Sequence, residues 1–123
     1  MIIYISGPIT GMPDENKKAF QKAQNDIVSM FKTIKTEKVK ILNPIKIGMK
    51  LEKKFAVAGK RPKWDDYMRV CIKELCEATY IYLLPEWWKS DGANFERHIA
   101  NRLKIPCAEN IQELSKLILR KII

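Results

Sequence analysis

Residues 83 to 105, LLPEWWKSDGANFERHIANRLKI, place one carboxylate in an apolar position. The run reads as a buried strand, a short loop and a helix. On that helix Glu96 shares a stripe with Ala93, Ile99, Ala100 and Leu103, offset from it by 3, 3, 4 and 7 residues. That spacing is one helical face, and a face of this composition turns toward a core. Two ordinary explanations do not account for Glu96. With Ser90 or Asp91 as the cap, a capping box would use Ala93 or Asn94, so Glu96 falls one turn too late. The i+4 position is Ala100, so no cation holds it along the helix. An inward carboxylate close to the end of a strand can serve as nucleophile, base or acid. A glutamate at the edge of the stripe that reaches solvent is the alternative, and spacing alone leaves both open.

Other groups gather around it in the sequence. Ser90, Asp91 and Gly92 open the helix, where free backbone N–H groups and a hydroxyl make an anion site. Ser6-Gly7-Pro8-Ile9-Thr10-Gly11 offers a similar loop after the first strand. Asp65 and Asp66 begin another helix, where they either act as acids or complement the helix dipole. Trp87 and Trp88 can stack on a base or cover an interface, whereas Trp64 is expected to pack. His98 is the lone histidine, and Cys71, Cys76 and Cys107 contain no C-x-x-C pair. Buried free thiols are expected, with neither a metal site nor a cofactor.

The elements that must position these groups alternate. IIYIS (2–6) and VKILNP (39–44) read as strands, the second stopped by Asn43-Pro44; TYIYLLP (79–85) and KIPCA (104–108) read as two more. Helices are expected from about Glu15, capped by Asp14, to Thr36, then over 64–77, after Ser90, and over 111–123. Residues 45–63 show no clear period and read as a long basic loop. Strand–helix alternation of this kind predicts a single α/β domain: a flavodoxin- or Rossmann-like three-layer fold with a parallel sheet of about four to five strands. The loops at 7–16, after Asn43 and at 85–92 then meet at the carboxyl ends of the strands.

Charge is unevenly spread. Residues 32–63 hold eleven bases and two acids, and the segments on either side balance, so this stretch carries the whole net charge of +9. Such a segment fits a solvated loop or attraction of a phosphorylated ligand; nucleic acid is not expected, because no nucleic-acid motif accompanies it. No apolar run approaches the length of a membrane span, and MIIYISG lacks a basic leader region, so a cytoplasmic protein is expected.

Taken together, YISGPITG, the NP after the second strand with WDDYMR behind it, and LP-x-W-x-x-S-x-G-A-x-x-E resemble the nucleoside 2-deoxyribosyltransferase-like superfamily over residues 2 to 108. More narrowly they resemble a small phage- and prophage-associated branch of uncharacterised domains (DUF4406-like), related to the deoxynucleoside monophosphate N-glycosidases. The resemblance implies that Glu96 is a nucleophile and that Tyr4 positions it. It implies that Gly7, Thr10 and Gly11, with Ser6, Pro8 and Ile9 in the same loop, hold sugar or phosphate. Ser90 beside Gly92 would contact phosphate, and one of the adjacent tryptophans, Trp87 or Trp88, would line the pocket or serve structurally. Asp66, with Asp65 close behind, takes the place of the acid that protonates the leaving base. This chain departs from the pattern at the first loop, where Pro8 and Thr10 replace a serine and an arginine, which turns phosphate binding toward the lysines of 45–63. The implied ligand is a nucleoside or nucleoside monophosphate, and the implied assembly a homodimer or larger. The rival reading is a nucleotide-binding sensor or sequestering protein without turnover.

Overall fold

The computed structural model describes residues 1–34 and 38–122. Among these, four parallel strands form one sheet in the order β2-β1-β3-β4: β1 (Ile2–Ser6), β2 (Lys40–Leu42), β3 (Tyr80–Leu83) and β4 (Cys107–Ala108). Five helices flank it: α1 (Lys17–Ile34), α2 (Pro44–Val57), α3 (Trp64–Leu75), α4 (Asp91–Arg102) and α5 (Ile111–Ile122). This is a Rossmann-like three-layer α/β domain, as the alternating pattern predicts.

Period-two alternation divides the core. Ile3 and Ile5 of β1, with Tyr80 and Tyr82 of β3, pack against Phe20, Ala23 and Ile27 of α1 and Leu114 and Ile118 of α5. Tyr4, Ile81 and Leu83 point the other way, toward Cys71 and Leu75 of α3 and Ala100 of α4. Helix α1 thus leaves β1 on one face and α4 leaves β3 on the other. Strand β2 is added on one side of β1 and β3 and β4 on the other, so the strand order switches between β1 and β3, and in such sheets ligands bind at that switch point, beyond the carboxyl ends of the strands.

Three boundaries differ from the sequence-based expectation. The expected basic loop at 45–63 is mostly the helix α2, and only 58–63 connects it to α3. Asn43-Pro44 both ends β2 and starts this helix: the Asn43 side chain accepts a hydrogen bond from the Ile45 N–H at 3.0 Å, and Pro44 fits the first turn. Its inward residues, Pro44, Ile47, Gly48, Leu51 and Phe55, are separated by lysines that hide the period. Helix α1 begins at Lys17, not at Glu15, because Asp14, Glu15 and Asn16 take left-handed conformations with φ of 50, 54 and 59°. Asn16 instead donates a side-chain hydrogen bond to the Pro8 carbonyl at 3.0 Å. The expected end of α1 near Thr36 and the last residue of the expected 111–123 helix lie outside the described residues.

Gly7 follows β1 where β3 runs out, and the two chains nearly touch there. A Cβ on Gly7 would lie 2.7 Å from the Leu84 Cβ. Gly7→Ala is therefore expected to lower the unfolding free energy by about 1–3 kcal/mol in urea titration, as overpacking does. An unchanged midpoint would mean that the Leu84 segment can withdraw freely.

Candidate active site

The cap of α4 sets its register. The Ser90 hydroxyl accepts a hydrogen bond from the Ala93 N–H at 3.1 Å, so the helix starts at Asp91. Ala93, Glu96 and Ala100 then form its buried stripe. Two alanines on either side of Glu96 let the helix approach β1 closely. Tyr4 and Ser6, two residues apart on β1, point to the same face and meet the carboxylate. The Tyr4 hydroxyl donates to Glu96 Oε2, and the Ser6 hydroxyl donates to Oε1 at 2.7 Å. Glu96 is only 5% exposed, so the inward reading of its stripe holds. Leu103, placed on the same stripe by spacing, is 52% exposed because α4 ends at Arg102 and Leu103 is its C-cap, with φ of −90° and ψ of 4°.

Burial and hydrogen bonding act on this carboxyl in opposite directions. Burial pushes its pKa up, and the hydroxyls of Tyr4 and Ser6 favour the ionised form and pull it back, leaving it at about 7 against an ordinary 4.5. Burial and the neighbouring Glu96 raise the Tyr4 hydroxyl well above its usual range, so it remains a donor. Cys71 of α3 faces the same pair, and its thiol is pushed up to about 12, chiefly by burial and then by Glu96. Of these three buried groups, only Glu96 changes charge near neutral pH. Each carboxylate oxygen accepts one hydroxyl and keeps lone pairs for other partners. Ionised, the group can attack or accept a proton; protonated, it can donate one.

The remaining expected residues have more varied placements. Ser6 braces Glu96. Gly7 and Pro8 are buried, and Ile9 packs against the core beneath α1. Thr10 and Gly11 are exposed on the loop, Gly11 with φ of 79°. Gly92 is pressed against Met68 of α3, whose sulfur would lie 3.4 Å from a Cβ there. Asp66 accepts a hydrogen bond from the Lys63 N–H at 2.8 Å, as a first-turn cap does. Asp65 is exposed on a shallow apolar groove between α3 and α4. Trp64, expected to pack, is 50% exposed on the same groove, and Phe95 joins it there. Trp87 is half-buried: its indole N–H donates to Glu109 at 2.8 Å, and the Arg97 guanidinium lies 5.1 Å from the ring. Trp88 is largely exposed. Cys71 is buried as expected of a free thiol, but Cys76, just past the end of α3, is exposed and Cys107 only partly covered. Among the described residues no group of three or more His, Cys, Asp or Glu is placed to hold a metal.

Sequence reasoning missed two features. The Ser6 contact was signalled by its i+2 relation to Tyr4 on one strand face. The Tyr67–Glu52 hydrogen bond at 3.1 Å, linking α3 to α2, was hidden while 45–63 read as a loop.

A parallel three-layer domain with a hydroxyl-clamped carboxylate on the helix after its switch-point strand defines the class of protein. The chain belongs to the DUF4406 family, a domain of unknown function, whose model matches residues 1–109. No curated protein and no solved structure matches the chain.

The raised carboxyl has a consequence for stability. Between pH 4.5 and about 7 the folded chain binds a proton at Glu96 that the unfolded chain releases. The stability linked to that proton is fully present below pH 4.5 and is lost as pH rises through 7, a loss of about 3 kcal/mol. Glu96→Gln removes the titration. Urea unfolding at pH 5 and pH 8 should show the variant gaining on the parent by about 2–4 kcal/mol at the higher pH. Parallel pH profiles would mean that Glu96 ionises as an exposed carboxyl does.

Proposed function

We propose that this domain cleaves or transfers at the N-glycosidic bond of a nucleoside or nucleoside 5′-monophosphate. The observation that carries the reading is a buried Glu96 carboxylate held by Tyr4 and Ser6 at the carboxyl end of β1. Cleavage of such a bond passes through an oxocarbenium-like state, and a carboxylate beneath C1′ either stabilises it or adds to it. In the proposed sequence Glu96 attacks C1′, the C1′–N bond breaks, and the base departs with a proton from Asp66 or Asp65. Water or a second base then displaces Glu96 from C1′. Tyr4 and Ser6 fix the carboxylate oxygens and stabilise their charge. Thr10, Gly11 and the helix opening at Ser90–Gly92 would take the sugar or phosphate. A cytoplasmic homo-oligomer completes the proposal, supported by the free thiols and by exposed Trp64 and Phe95 beside one another. No helix among the described residues is long and apolar enough to cross a membrane.

A second reading, nucleotide binding without turnover, is favoured by one specific observation. Asp66 is already engaged by the Lys63 N–H and Asp65 is exposed, so neither carboxylate is hydrogen-bonded to the site. Incubation with nucleosides and their 5′-monophosphates, ribo and deoxy, separates the two. Free base appearing on chromatography, and falling at least about 10³-fold in Glu96→Ala, is the expected result. A thermal shift with one nucleotide and no base released from any would select the binding reading, and equal release by Glu96→Ala would remove the nucleophile from the mechanism.

The pH dependence supplies another check. A nucleophilic carboxylate must be ionised, so kcat/KM is expected to rise with pH through a midpoint of about 7. Tyr4→Phe deletes a hydrogen bond that favours the ionised form. Its midpoint should move to higher pH, with activity at neutral pH reduced about 10–100-fold. A variant with the parent's midpoint would mean that Tyr4 does not tune the carboxyl.

A further inference from the structure

The folding of residues 44–57 into α2 changes what the lysine-rich segment can do. On a helix, Lys46, Lys50, Lys53 and Lys54 fall at spacings of 4, 3 and 1, within an arc of about 100°. They line a groove closed on another side by Lys40 of the edge strand β2, with Glu74 of α3 the one acid among the described lining residues. None of the five lysines forms an ion pair with a described carboxylate. The ordinary account of such lysines is solubility and protection of a sheet edge. That role needs scattered charge, whereas here five cations face a single concave surface.

We infer that this groove binds the phosphodiester backbone of a nucleic acid strand. Lys46 to Lys54 spans about 12 Å of helix, room for three or four phosphates at a rise of about 3.4 Å per strand phosphate. Cations on two walls, from α2 and from β2, suit a strand lying in a cleft; a lipid surface is flat and would meet one wall only. The cations among the described lining residues are all lysines, which meet phosphates as point charges, so the binding is sequence-independent and electrostatic. The groove is walled by α2, β2 and α3, and neither α4 nor Glu96 lines it, so the inference stands apart from the glycosidic reading.

Fluorescence anisotropy with a short labelled DNA duplex and a labelled single strand tests it. At low salt the protein is expected to bind at least one of them. The logarithm of the association constant should fall against the logarithm of salt with a slope between about −3 and −5. The fourfold variant Lys46→Glu, Lys50→Glu, Lys53→Glu and Lys54→Glu should lose at least about 100-fold in affinity. Lys50→Gln alone should flatten the slope by about 1, which keeps the test decisive should the fourfold variant misfold. Glu96→Ala should bind as the parent does, so loss of catalysis and loss of this groove are read separately. Two outcomes overturn the inference: no binding to either oligonucleotide at low salt, which together with sedimentation on anionic phospholipid vesicles would mark a lipid surface instead, or binding unchanged in the fourfold variant. Displacement of the strand by micromolar pyrophosphate would also overturn it, by marking a small-anion site.

Discussion

A carboxylate taken out of water must be compensated by hydrogen bonds or give up its charge, and the layout of this domain follows from how Glu96 meets that demand. Two hydroxyls on one face of β1 supply the bonds, and they reach it only because a strand places residues 4 and 6 on the same side. Helix α4 must then pack close to β1, which the alanines at 93 and 100 allow. Its start must be fixed, which the Ser90 cap does. The compensation is partial, and the result is a carboxyl that titrates near pH 7, able to be ionised or neutral under physiological conditions. A third hydrogen bond would have returned it toward an ordinary glutamate; a purely apolar pocket would have kept it neutral.

The sheet order gives that carboxylate its position relative to solvent. Helices α1 and α4 leave on opposite faces from the two central strands, so the chain parts above β1 and β3. Gly7 and Leu84 touch at that point, and the loop after β1 is tied back by Asn16 on the Pro8 carbonyl. The clamp therefore has a rigid floor.

Much of this was legible in the sequence because the strands are short and apolar and Gly or Pro ends them. Glu96 was legible because its neighbours at 3 and 4 residues are alanines and an isoleucine. Helix α2 was not, because four lysines break its apolar run and a strong stop signal, Asn43-Pro44, doubles as a start signal. Trp64 misled for a related reason: its spacing to Met68 and Cys71 is helical, yet it opens the first turn of α3 and lies half exposed on the groove shared with Phe95. The hydrogen bond from the Lys63 N–H to Asp66 was neither of the two roles its sequence suggests, acid or dipole complement, since spacing fixes which turn a residue occupies and not what it faces.

Strand β1 belongs to both hydrophobic cores at once. Ile3 and Ile5 anchor one, Tyr4 the other, and the strand is hydrogen-bonded on both edges, to β2 and to β3. The hydroxyls that clamp Glu96 are thus carried on the element with the least freedom to open independently. Regions that exchange their amide protons through small local fluctuations are those with few buried contacts, and β1 is the opposite case. Its amides should open only when the whole domain does. The hydroxyl half of the clamp therefore persists through the small fluctuations that loosen less buried segments, and a local loss of the clamp would have to come from α4, which carries Glu96.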